Sequence, residues 1–168
     1  NEDGAASRPL SPYAASKKAA ETLLYSYHHL HGIDASVLRY FTVYGPAGRP
    51  DMSIFRFIRG IAENEPITVF GDGTQERDFT HVDDIARGTV AALKPLGYEI
   101  FNLGSDRPVP LKGVISIIED RLDLNARVES QPRHAADIPS TWVDITRAKR
   151  LISWRPLVSF EEGIRGAV

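Results

Sequence analysis

Between Ser11 and Glu21 the chain reads Ser-Pro-Tyr-Ala-Ala-Ser-Lys-Lys-Ala-Ala-Glu, a run that leaves the backbone little choice but helix. Ser11 is a preferred N-cap, and Pro12 suits the first helical position, where its fixed φ helps and its missing N–H is no loss. The alanines behind them are the strongest helix formers. The predicted helix runs to about Leu30 and stops at His31-Gly32, with the glycine as left-handed C-cap. Tyr13 and Lys17 then stand one turn apart on a single face. A phenol is a poor base at neutral pH, but a cation one turn away favours the phenolate, and positive charge on a bound cofactor favours it further. Such a pair can remove a proton from a hydroxyl. A plainer reading stays open: a core tyrosine and a solvated lysine on an amphipathic helix.

Beyond the helix, strand and helix patterns alternate. Residues 1–10 read as a polar loop, and Ala35–Phe41 as a buried strand. A loop, Thr42–Asp51, leaves the carboxyl end of that strand, the place where open α/β sheets bind ligands. A helix is predicted over Met52–Glu63, with Ile54, Phe55, Ile58, Ile61 and Ala62 on one face. Ile67–Phe70 and Arg77–Val82 read as short strands joined through a turn at Gly71-Asp72-Gly73. Asp83 is placed to cap a helix over Asp84–Leu93. A strand over Glu99–Leu103 ends at Gly104-Ser105. Leu111, Val114, Ile115, Ile118 and Leu122 then mark one face of an amphipathic helix. Arg127–Glu129 reads as a strand, Pro132–Pro139 as a loop, and the tail as two short helices. The second of these opens on the capping box Ser159-Phe160-Glu161-Glu162.

Composition narrows the function. At 168 residues and 42% hydrophobic, the chain holds enough apolar side chains for one ordinary core. A net charge of −2, with no dense Lys/Arg cluster, argues against a nucleic-acid surface. No apolar run approaches the roughly 20 residues that cross a membrane, and Asn1-Glu2-Asp3-Gly4 is no signal peptide. The absence of cysteine rules out disulfides and thiolate chemistry and fits a reducing, cytoplasmic setting. The five histidines show no metal-binding spacing; His28, His29 and His31 suit solvated or capping roles near a helix end. The chain starts on Asn1 and stops at Val168 within a helical pattern, so both ends are expected to be cut.

Five motifs occur in one order. They are Tyr13-x-x-x-Lys17; Leu38-Arg39-Tyr40-Phe41-Thr42-Val43-Tyr44-Gly45-Pro46; Gly71-Asp72-Gly73 through Arg77-Asp78-Phe79-Thr80-His81-Val82-Asp83-Asp84; Asn102-Leu103-Gly104; and Trp154-Arg155-Pro156. Together they resemble the C-terminal half of the NAD-dependent nucleotide-sugar epimerase/dehydratase family, the extended short-chain dehydrogenases, over nearly all of the chain. The likeness is nearest to the UDP-glucuronate 4-epimerases, because Phe41–Pro46 is followed by Gly48-Arg49-Pro50-Asp51-Met52. The resemblance implies an α/β fold: the C-terminal part of a Rossmann-like doubly wound sheet plus a small α/β substrate-binding domain, with the N-terminal cofactor half absent. It divides the chain into the Tyr/Lys helix and a late Rossmann strand (1–48), a substrate-binding segment (49–98), a returning Rossmann strand (99–108) and the C-terminal part of the substrate-binding domain (109–168).

The resemblance also implies roles. Tyr13 is the expected catalytic base and Lys17 its electrostatic partner; both also contact the NAD cofactor, as do Tyr40 and Val43. Thr42 is similar in position to a threonine that helps hold a sugar carboxylate, with Arg49 near the same sugar or the phosphates. Thr68 and Phe70 correspond to positions whose backbone reads uracil, and Arg77 and Arg133 to arginines on the diphosphate. The residues themselves leave alternatives open: an Arg77–Asp78 ion pair, a Thr42 hydroxyl spent on loop backbone, a solvated Arg49. Asp83 and Asp84 are better explained by helix capping than by catalysis, and Gly71–Gly73 by a turn than by a phosphate cradle.

Two departures stand out. The family commonly carries Arg-x-Gly-Asp before its last strand, where this chain has Arg133-His134-Ala135-Ala136-Asp137. There is also no G-x-x-G-x-x-G, and no Ser/Thr matching the one that bonds the reacting hydroxyl upstream of the tyrosine. The function so implied is a fragment of a nucleotide-sugar 4-epimerase that inverts C4 of a UDP-sugar by transient hydride transfer to NAD. Its parent would be a homodimer with no nucleic-acid or membrane partner, and the isolated chain would be inactive. A dehydratase or decarboxylase fragment, or a non-catalytic nucleotide-binding or interaction module, are the alternatives.

Overall fold

The expected helix is present as α1 (Pro12–His31) in a computed structural model that describes residues 2, 9, 11–133 and 140–168. Most of the polar loop expected over 1–10, and the Pro132–Pro139 loop beyond Arg133, lie outside the described residues. The Ser11 hydroxyl accepts the Ala14 N–H at 3.1 Å, and Gly32, at φ 64°, closes the helix with its N–H on His28 O.

The flank of α1 is unlike the amphipathic helix of the plainer reading. Glu21 is its one buried residue, while Leu23, Tyr27 and Leu30 are exposed. A polar clasp holds it instead. The Glu21 carboxylate accepts Arg39 Nε at 2.7 Å, Arg39 Nη2 at 2.9 Å and Lys18 Nζ at 3.1 Å, and Tyr98 Oη donates to Glu21 O. The Arg39 hydrogen bonds, opposed by burial and helped by Lys18, hold the Glu21 carboxyl below its ordinary value of 4.5. A carboxyl lowered on folding adds stability that is complete above its unfolded value and lost as pH falls through the folded one. Glu21→Gln is therefore expected to cost about 2 kcal/mol at pH 7 and to flatten the acid limb of a urea-denaturation series run below pH 4.5. An unchanged acid limb would mean the clasp contributes nothing.

The remaining elements are β1 (Ala35–Tyr40), β2 (Thr42–Tyr44), α2 (Ser53–Ala62), β3 (Pro66–Phe70), β4 (Glu76–His81), α3 (Val82–Ala91), β5 (Tyr98–Leu103), β6 (Pro108–Pro110), α4 (Leu111–Leu122), β7 (Arg127–Gln131), α5 (Thr146–Ile152) and α6 (Phe160–Ala167). They form an α/β architecture in which β1 pairs with β5, β2 with β4, and β3 with β7, all parallel, while β6 runs antiparallel to β4. β1 is half-exposed rather than buried as the sequence suggests, since β5 is its one partner among the described residues.

Three boundaries differ from expectation for physical reasons. Thr42–Tyr44 is not loop: it pairs in register with Phe79–His81, which buries Tyr44. Asp83 does not cap α3, because β4 ends at His81, whose Nδ1 accepts the Asp83 N–H at 3.3 Å. The short β6, with a proline at each end, gives no alternation to read and exists through its pairing with Glu76–Asp78.

Two cores result. One joins α2, β3, β4, α4 and α6 through Phe57, Ile61, Val69, Phe79, Ile118 and Ile164. The other joins α3, β5 and α5 through Ile85, Phe101, Leu103, Ala148, Ile152 and Trp154. On α2 the buried stripe is Ile54, Phe57, Gly60 and Ile61. Phe55, expected on that stripe, is 38% exposed, and this turns it toward the site described next.

Candidate functional site

A cavity of about 510 Å3 opens where α1, the end of β1, β2 and the start of α2 converge. Tyr13, Tyr40, Thr42, Val43 and Arg49 all line it, with Met52, Ser53 and Phe55 from the α2 side. Tyr13 is 72% exposed, which removes the core-tyrosine alternative. Lys17 Nζ sits 5.5 Å from the centroid of the Tyr13 ring, as the four-residue spacing requires. Tyr40 Oη lies 3.0 Å from Thr89 Oγ1. The Thr89 hydroxyl already donates to Ile85 O, so Tyr40 is the donor of that pair and its ring is fixed at the lip.

Arg49 is not simply solvated. Its Nε and Nη2 meet Asp51 Oδ1 and Oδ2 at 3.1 and 2.6 Å, a bidentate pair that lowers the Asp51 carboxyl and raises the guanidinium. Both partners are exposed, so this is a rim pair that a competing anion can open.

A second cavity, of about 580 Å3, lies on the other side of the α2 N-terminus. Thr68, Phe70 and Arg77 line it together with Asp51, Ser53, Arg56 and Gln75. Ser53 is common to both cavities. Arg77 Nη1 donates to Glu76 O at 2.8 Å. The neighbouring Asp78 carboxylate is wholly buried and takes the N–H groups of Ser105 and Asp106 at 2.6 and 3.0 Å, so its work is to hold the β5–β6 turn. Burial outweighs these bonds and pushes the Asp78 carboxyl up.

Arg133 lines neither cavity. It ends the described part of the β7 strand region and lies over the Gly71–Gly73 turn, with Nε 3.6 Å from where a Cβ on Gly71 would stand. Its charge helps lower the Asp72 carboxyl, after the Thr74 hydrogen bonds. The rest of the Arg133–Asp137 register, residues 134–137, lies outside those described.

Sequence reasoning missed Gln75 and Arg56. Gln75 is 2% exposed; its Nε2 donates to Phe70 O at 2.5 Å, and its Oε1 has no hydrogen-bond partner among the described residues. A buried acceptor left empty is costly unless something completes it. No local pattern marks Gln75, but Arg56 falls on the polar side of the α2 stripe and points to a cavity only once Arg77 is seen opposite. Asp84, expected as a helix cap, is buried and binds the Leu157 and Val158 N–H groups and the Arg87 guanidinium. It braces the segment that leads into α6.

A family model described as the NAD dependent epimerase/dehydratase family matches residues 1–104. Over its full length the chain is 59% identical to a UDP-glucuronate 4-epimerase of Thermodesulfobacterium geofontis and covers 52% of that relative. It is 37% identical to UDP-glucuronate 4-epimerase 4 of Arabidopsis thaliana, with 94% of this chain and 40% of the relative covered. The crystal structure of a UDP-glucuronic acid 4-epimerase from Bacillus cereus, in complex with UDP-glucuronic acid and NAD, superposes with a TM-score of 0.90 at 41% identity. That match covers 95% of this chain and 52% of the solved one, and it bears out the α/β, Rossmann-like architecture. The chain spans about half the length of the curated relatives it matches. By fold, motif order and sequence, it belongs to the NAD dependent epimerase/dehydratase family.

Proposed function

We propose that this chain is the Tyr/Lys helix and substrate side of a nucleotide-sugar 4-epimerase acting on UDP-glucuronate or a close uronate, and that alone it turns over nothing. The observation that carries the reading is the pair of cavities meeting at Ser53. One gathers the residues assigned to the sugar (Tyr13, Thr42, Arg49), the other those assigned to UDP (Thr68, Phe70, Arg77), so a single extended ligand is accommodated across the start of α2. The domain division at 48, 98 and 108 belongs to the same reading, as does Arg133 closing over the diphosphate from the Gly71 turn.

The nicotinamide end of NAD fits the first cavity's mouth, where Tyr13 and Tyr40 leave aromatic surface uncovered. Tyr13, Lys17, Tyr40 and Val43 would hold that end. NAD, when bound there, supplies the acceptor for a hydride that leaves sugar C4 and later returns to it. Tyr13, with the Lys17 cation one turn along α1, takes the proton of the 4-hydroxyl and returns it once the opposite face is presented. Thr42 and Arg49 fix the carboxylate end, so that the ring turns about a held group. The exposed Leu23, Tyr27 and Leu30 of α1 are the surface on which a second copy would pack, in a cytoplasmic homodimer.

Calorimetric titration tests the substrate side directly. UDP-glucuronate is expected to bind more tightly than UDP, and Arg77→Ala to weaken both by on the order of tenfold or more. Equal binding by wild type and Arg77→Ala would remove the nucleotide from the second cavity.

A further inference from the structure

α6 carries two glycines three residues apart whose surroundings are opposite. A Cβ on Gly166 would meet nothing within 4 Å. A Cβ on Gly163 would run into the Tyr44 phenol, meeting Oη and standing 2.7 Å from Cζ and 2.9 Å from Cε2. Neither glycine has a left-handed backbone, so alanine's higher helix propensity favours substitution equally at both.

Tyr44 is the last residue of β2 and lines the first cavity. Its ring is clamped by Phe160, His81 and Phe79, at centroid distances of 5.2, 5.5 and 6.3 Å, and its Oη donates to Phe160 O at 3.3 Å. Burial, then the nearby Asp84, Glu161 and Glu162 carboxylates, push this phenol up, so it stays a neutral donor. Ala167, on the last turn of α6, lines the same cavity. Thr42 and Val43 stand two and one residues before Tyr44 on a three-residue strand, too short to absorb a displacement at its end.

We infer that Gly163 is a positioning residue for the sugar cavity: its missing side chain lets α6 seat against Tyr44, and that seat sets where β2 holds Thr42 and Val43. The inference rests on the assignment of the first cavity to the sugar and the second to UDP. Neither Tyr44 nor any residue of α6 lines the second cavity.

The test compares Gly163→Ala with Gly166→Ala by titrating each with UDP and with UDP-glucuronate. Overpacking against Tyr44 is expected to weaken UDP-glucuronate on the order of tenfold for Gly163→Ala while leaving UDP within about twofold. Gly166→Ala is expected to leave both unchanged. Adding Tyr44→Phe to Gly163→Ala removes the Oη that the new methyl meets and is expected to recover part of the loss. Equal losses for both ligands, or a matching effect at Gly166, would overturn the inference and leave Gly163 a purely structural glycine. Amide exchange separates the inference from the reading beneath it. If wild type fails to prefer UDP-glucuronate over UDP, the functional reading falls. Faster exchange at the Thr42–Tyr44 amides in Gly163→Ala, with β3 and β7 unaffected, would still uphold the seat, and unchanged β2 exchange would overturn it.

Discussion

Tyr13→Phe is expected to reduce turnover about a thousandfold, the scale of a lost general base, while sparing UDP affinity. The assay uses this chain joined to the N-terminal half of the Thermodesulfobacterium geofontis relative, in place of the corresponding 169 residues, to which it is 59% identical. Only a hydroxyl is removed. The ring that meets Lys17 at 5.5 Å remains, so the helix face and cavity shape are kept. UDP affinity is spared because Thr68, Phe70, Gln75 and Arg77 line a cavity that Tyr13 does not enter. Epimerisation retained in Tyr13→Phe would remove Tyr13 from the chemistry.

The second large effect falls on stability. Asp84 is wholly buried, and its carboxylate takes Leu157 N–H at 3.1 and 3.0 Å, Val158 N–H at 3.0 Å, and the Arg87 guanidinium. Its main-chain oxygen accepts Trp154 Nε1 at 2.9 Å, so one residue ties α3 to the segment entering α6. Asp84→Ala strands two amides and a guanidinium together, and is expected to cost about 4 kcal/mol, seen as a Tm lower by roughly 10 °C. Asp84→Asn keeps one acceptor oxygen and is expected to lose about half as much. A Tm within about 2 °C of wild type for Asp84→Ala would show that water replaces the carboxylate there.

Both effects illustrate what a sequence exposes. Local rules made α1 legible to the residue at both caps, and the Ser159–Glu162 box is formed as written, with Ser159 Oγ and the Glu162 carboxylate exchanging hydrogen bonds with backbone. The Tyr13–Lys17 stacking followed from helical spacing alone. Features created by distant contacts were not legible. Thr42–Tyr44 is a strand because Phe79–His81 lies beside it, 37 residues away. His81 caps α3 because β4 ends one residue before the expected Val82, so the helix starts earlier than Asp83 suggests. Arg49 is tied to Asp51, which two residues of glycine- and proline-rich loop gave no reason to expect. Gln75 is invisible as a glutamine between Thr74 and Glu76, and is noticed only once its oxygen is found buried without a hydrogen-bond partner among the described residues. The motif order named the family; the convergence of its residues on two adjoining cavities required the fold.

The most direct measurement is the mass of the product that the joined protein makes from UDP-glucuronate in deuterium oxide. After back-exchange in ordinary water, internal return of the hydride predicts a C4 epimer, separated from substrate by chromatography, of the substrate's mass and with no solvent deuterium on carbon. Loss of carbon dioxide would make the parent a decarboxylase, loss of water a dehydratase, and deuterium at C4 would contradict hydride return.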